Sequence, residues 1–115
     1  MGGQIPLLDM PVLDRLAAEV GKESAAFLLD SLKQEIRNSG CELMQHASAG
    51  DLEQLEIQAH ALKSAARSFG AMRLGEACQA IEYAAKADGS PEIEGLLSQF
   101  QIISQETLEA FKQAN

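Results

Sequence analysis

A chain of 115 residues, 46% hydrophobic and 23% charged, suits one domain spanning 1–115 with a real core and excludes full disorder. Nine Lys and Arg against 17 Asp and Glu leave a net charge of −8, which excludes a nucleic acid or an anionic membrane as a partner drawn in by the overall field. No apolar run approaches the ~20 residues of a bilayer span, and residues 1–6 hold neither the basic nor the apolar part of a signal peptide, so a cytoplasmic chain without membrane contact is expected.

In chain order the signals are helical throughout. Aromatic residues make up 4% of the chain and no stretch alternates apolar with polar residues, so strands are not expected. A first helix is predicted from about Asp9 or Met10 to Val20, with Pro11 in its first turn and Gly21 at its end. The second runs from about Lys22 to Ala49 and is expected to bury Phe27, Leu28, Leu32, Ile36, Leu43 and Met44. Gly40 inside it costs about 1 kcal/mol relative to Ala, and a weak point or kink is expected there.

The third helix is the best defined. Asp51 is a good N-cap, with Gln54 completing a capping-box-like pair, and Gly70 closes the helix. Leu52, Leu55, Ala59, Leu62, Ala66 and Phe69 form a seam at alternating three- and four-residue spacing. A fourth helix, from about Ala71 to Ala87, places Leu74, Cys78, Ile81 and Ala85 on its seam. After a turn at Asp88-Gly89, Ser90 is expected to cap a fifth helix that opens on Pro91 and buries Ile93, Leu97, Phe100, Ile103 and Phe111. The short links predict an all-α, antiparallel up-down four-helix bundle with a short extra N-terminal helix. Cys41 and Cys78 form no metal-spaced pair and no disulfide framework, and two reduced, mostly buried thiols are expected.

On the third helix, His60 falls roughly 140° from the seam and so faces solvent. Lys63 and Arg67 share its stripe, and Ser64, one turn on, gives little steric cover. An exposed histidine on a helix is ordinarily inert. A neutral imidazole nevertheless keeps a nitrogen lone pair and can act as a nucleophile, and two cations suit an incoming phosphoryl group. If the third and fourth helices close a hairpin around Gly70-Ala71, residue 60 stands level with Glu82. That carboxylate is either a solvated surface group or an acceptor that fixes the imidazole tautomer.

The run from His60 through Leu62-Lys63-Ser64 to Gly70-Ala71 resembles the signature of histidine-containing phosphotransfer domains, His-x-Leu-Lys-Gly-Ser-(Ser/Ala) followed three residues later by Gly-Ala. The likeness extends over roughly residues 20 to 110. It implies that His60 takes a phosphoryl group from the aspartate of a response-regulator receiver domain and passes it to another receiver. Lys63 would be the family's cation for the phosphoryl group, Arg67 a second, and Glu82 the partner of the imidazole. Ala61, Ser64 and Ser68 would line the receiver docking face, with Ser64 standing where the family has glycine.

The resemblance further implies no cofactor in this chain, Mg2+ on the receiver, no ATP-dependent activity of the chain alone, and a monomer that is either free-standing or part of a hybrid sensor kinase. Two alternatives stay open: a kinase-fed domain of a chemotaxis-type histidine kinase, and a receiver-binding module without transfer. A metal site joining His46 and His60 is disfavoured, because the two lack helical ligand spacing; His46 suits a helix C-terminus instead.

Overall fold

Pro11 opens α1 (Met10–Val20) and Gly21, at a positive φ of 91°, ends it. Among the residues that the computed structural model describes, 5–88 and 90–114, the order continues through α2 (Lys22–Ser48), α3 (Leu52–Ser68), α4 (Met72–Lys86) and α5 (Ser90–Ala114), with no strand. The expected turn at Gly89 and the Ser90 side chain expected to cap α5 lie outside the described residues.

Asp51 caps α3 by accepting the Gln54 N–H at 3.2 Å. Its own N–H goes to the His46 carbonyl at 2.9 Å, so the capping box is one-sided. Helix α2 packs on α3, α3 on α4, α4 on α5, and α5 returns to α2, while α1 lies against α2. Leu55, Ala59, Leu62 and Ala66 of α3 meet Leu74, Cys78, Ile81 and Ala85 of α4 in one core with Ile36, Leu43, Phe100 and Phe111. Leu52 and Phe69, at the ends of the α3 seam, are only partly buried.

Two expectations, for the buried faces of α2 and α5, are corrected. Phe27 is 71% exposed, Met44 is exposed and Leu28 is half-buried, because the buried stripe of α2 is Ala25, Leu29, Leu32, Ile36, Ser39 and Leu43. Phe27 lies two residues from both Ala25 and Leu29, roughly 200° around the helix from that stripe. Gly40 does not interrupt α2; a Cβ there would lie 3.5 Å from the Phe100 ring, so the glycine packs against α5. Ile103 is half-buried, because Leu97, Phe100, Thr107 and Phe111 occupy the inner face of α5.

The turn between α3 and α4 fixes the relative height of the two helices. Gly70 adopts φ 77°, and a Cβ there would stand 2.7 Å from the Asp9 carbonyl oxygen, so only glycine fits. The segment before α1 straps this turn: Asp9 N–H donates to the Gly70 carbonyl at 2.7 Å, Met72 N–H to Leu7 at 3.1 Å, and Arg73 Nε to Ile5 at 2.7 Å. Both the hairpin and its strap therefore hold His60 on α3 opposite the last turns of α4.

Candidate functional site

Helix α3 buries its seam and leaves His60 on the outer side, where the side chain is 59% exposed. Helix α4 brings Glu82 beside it, and this carboxylate is 5% exposed. The His60 Nδ1–H donates to Glu82 Oε2 at 2.9 Å. An ionised carboxylate can only accept, so the proton sits on Nδ1 and the lone pair of the neutral ring sits on Nε2.

Lys63 is not a free cation beside the ring. Its Nζ donates to Glu82 Oε1 at 2.7 Å, and the side chain is 14% exposed. Arg67 is also committed elsewhere: its Nη2 donates to Gln79 Oε1 and lies 3.7 Å from Glu76 Oε2. The arginine stem lies flat over Gly75, where a Cβ would come within 2.9 Å of Arg67 Cγ. Thus the stripe of His60, Lys63 and Arg67 read from α3 is real as a stripe, but both cations are drawn sideways to carboxylate and amide groups on α4.

Glu82 is the electrostatic centre of the arrangement. Burial raises its pKa, but the hydrogen bonds from Lys63 and His60, and the charge of Lys63, outweigh that and hold the carboxyl below its usual value of 4.5. A third cation, Lys86, approaches the same Oε2 that His60 uses, at 3.8 Å, and is 54% exposed.

The neighbouring positions on α3 carry small side chains. Ala61, Ser64 and Ser68 are all exposed, and Ser68 turns its hydroxyl back onto the Ser64 carbonyl at 3.0 Å. Ile57, one turn before His60, is exposed at 53%. Among the described residues there is no group of three or more His, Cys, Asp or Glu side chains placed to hold a metal ion.

Sequence reasoning missed Lys86, Gly75, Gln79 and Glu76. The Glu82–Lys86 spacing is a legible helical i,i+4 pair, and a glycine in mid-helix is a legible signal of close approach. What Gly75 approaches, the Arg67 stem, depends on the register of two helices.

The model of the Hpt domain family matches residues 13–114. The chain belongs to the Hpt domain family. Two curated relatives of this Hpt domain are phosphorelay proteins LuxU. That of Vibrio harveyi is 37% identical over 82 residues, covering 71% of this chain and 72% of that protein. That of Vibrio cholerae serotype O1 is 35% identical over 89 residues, covering 74% and 79%. Among solved structures, histidine-containing phosphotransfer protein B (HptB) from Pseudomonas aeruginosa PAO1 superposes with a TM-score of 0.90 at 27% identity, over 96% of each chain.

The two cysteines of this Hpt domain divide sharply. Cys78 is fully buried behind the site, and burial pushes its thiol up to about 12, against the opposing pull of Arg67 and Lys63. Cys41 is exposed, which corrects the expectation of two buried thiols: it follows the inner-face residues Ser39 and Gly40 and so turns outward on α2. In a native titration with Ellman's reagent, Cys41 is expected to react promptly and Cys78 only after denaturant is added. Prompt reaction of both thiols would mean that the core behind Glu82 opens readily.

Proposed function

We propose that this Hpt domain works as a phosphorelay intermediate with His60 as its phosphoryl carrier. The single observation behind this reading is the exposed imidazole whose Nδ1 proton is held by a buried carboxylate, leaving Nε2 aimed outward as the nucleophile. The Nε2 lone pair attacks the phosphorus of a receiver's aspartyl phosphate. The P–O bond breaks, and its electron pair returns to the receiver carboxylate. Nδ1 keeps its proton, and the positive charge that the ring gains is balanced by Glu82 at 2.9 Å. Return of the phosphoryl group to a second receiver aspartate follows the same path in reverse.

In this reading Lys63 acts through Glu82. By neutralising Oε1 it keeps a buried carboxylate next to an incoming anion. Arg67 braces α3 against α4. Mg2+ belongs to the receiver, which has its own phosphorylated aspartate, and the chain acts in the cytoplasm as a monomer, either alone or as part of a hybrid sensor kinase. Receivers approach over Ala61, Ser64 and Ser68, which are small and exposed.

The arrangement behind the site is an antiparallel up-down bundle. Supporting it, Lys63 and Arg67 meet Glu82 and Gln79 in reversed order along α4, Gln58 of α3 reaches back to Glu42 of α2, and α2 and α5 close the ring through Gly40 and Phe100.

The test is phosphotransfer from a panel of phosphorylated receiver domains, read by intact mass, with His60→Gln alongside. An acid-labile phosphoryl group on the wild type and none on the variant is the expected result. Phosphate on the variant would end the assignment of His60. Labelling only from a histidine kinase catalytic domain would move the chain to the kinase-fed class.

A further inference from the structure

Of the glycines inside described helices, one has no room for a side chain. A Cβ on Gly40 would make ordinary contact with the Phe100 ring at 3.5 Å, and one on Gly95 would meet nothing within 4 Å. At Gly75 the same atom would fall 2.9 Å from Arg67 Cγ, 3.1 Å from Nε and 3.5 Å from Cδ. All three atoms belong to one flexible side chain, so an added methyl group would displace Arg67 and not a helix. With glycine in place, the arginine stem lies over the buried Gly75. Its head donates from Nη2 to Gln79 Oε1, with Glu76 Oε2 at 3.7 Å.

Arg67 stands seven residues beyond His60, about 10 Å along α3 and within about 20° of the same direction. A protein partner covers about 800 Å² of each surface, and such a patch centred on the imidazole takes in both residues. The Arg67 side chain is 40% exposed even in its flat position. Side chains on a helix lean toward its N-terminus, so an arginine freed from α4 would lean over Ser64 toward His60.

We propose that Gly75 is a positioning residue for transfer between proteins: by leaving room for the Arg67 stem, it holds the guanidinium on α4 and keeps the approach to His60 open to a receiver. This inference rests on the reading of His60 as a carrier served by receivers. Gln79 and Glu76 supply the acceptors for the arginine head, and Gly75 lets the stem lie flat enough to reach them. The bonds made and broken in the transfer are unchanged.

The test is a double-mutant cycle in the full chain: wild type, Gly75→Ala, Arg67→Ala and the two together, with Gln79→Ala as a second way to free the arginine. Each protein is phosphorylated by phosphorylated receivers and by potassium phosphoramidate, a small donor whose P–N bond breaks to release ammonia as the bond to Nε2 forms. Rates are read by intact mass. Nitrogen NMR reports the imidazole tautomer and the Arg67 Nε–H signal.

Gly75→Ala is expected to slow transfer from receivers roughly tenfold, to leave phosphoramidate labelling and the tautomer as in wild type, and to move the Arg67 signal. Its effect on receivers disappears in the Arg67→Ala background. Gln79→Ala slows transfer from receivers by a smaller factor. A displaced α4 would instead slow both donors and would persist without the arginine. Equal receiver rates in wild type and Gly75→Ala would overturn the proposal and leave the relay reading standing, as would a loss that survives in the Arg67→Ala background. If phosphoramidate labels wild-type His60 but no receiver does, the relay reading fails and the role of Gly75 falls with it.

Discussion

Replacing Glu82 with Ala is expected to destabilise the protein by about 3 kcal/mol and to slow phosphoryl transfer at the same time. The side chain is 5% exposed and accepts from Lys63 at 2.7 Å and from His60 at 2.9 Å. Its removal leaves the Lys63 ammonium in a mostly buried position without a counterion, which is the costly half of breaking such a pair. Some of that cost is recovered as the lysine stem moves outward. For a domain of this size the melting midpoint should fall by roughly 10–20 °C. The imidazole also loses the acceptor that fixes its proton on Nδ1, so part of the ring population carries it on Nε2 and cannot attack.

Glu82→Gln separates the two effects, because an amide oxygen still accepts from Nδ1 but carries no charge. The pH dependence follows from the direction of the shift. The folded-state pKa of Glu82 lies below the ordinary value of 4.5, so its ionised form contributes stability that is fully present above that value. The contribution is lost as pH falls through the folded-state pKa. Urea denaturation of wild type and Glu82→Gln should therefore differ at neutral pH and converge in strong acid. A difference that stays constant down to acid pH would show that the carboxylate charge contributes nothing and that packing accounts for the loss.

The same residues show what could be read before the structure. The seam of α3 is legible because Leu55, Ala59, Leu62 and Ala66 satisfy one helical period and Asp51 and Gly70 mark its ends. Fixing that seam puts His60 outside and, through a tight Gly70 turn, puts Glu82 level with it. The inner face of α2 was harder to read. Phe27 and Met44 are large and apolar, whereas the true stripe runs through Ala25 and Ser39, whose small side chains allow close helix approach. Side-chain direction at the site was not legible either. Lys63 and Arg67 share a stripe with His60 by spacing, but which groups they reach depends on Glu82 and Gln79 across the helix pair. Long flexible cations follow the nearest acceptor, and the acceptors belong to another element.

Position 64 carries the second large effect, because it tests access rather than chemistry. Ser64 is exposed one turn beyond His60 on α3. Side chains on a helix lean toward its N-terminus, so a bulky group at 64 covers the surface above residues 60 and 61. Ser64→Trp should lower transfer from phosphorylated receivers by about 100-fold or more, since in-line attack tolerates little misplacement of the partner. Its stability should stay within about 0.5 kcal/mol of wild type, because Ser64 is exposed.

Phosphoramidate, a much smaller donor, should still label His60 in that variant. Ser64→Gly, the family's residue, should transfer at least as fast as wild type while losing several tenths of a kcal/mol of helix stability. If Ser64→Trp accepted phosphate from receivers at the wild-type rate, the receiver would have to approach from the α4 side of the ring. Tyr83 and Lys86 would then line its path instead of Ala61 and Ser68.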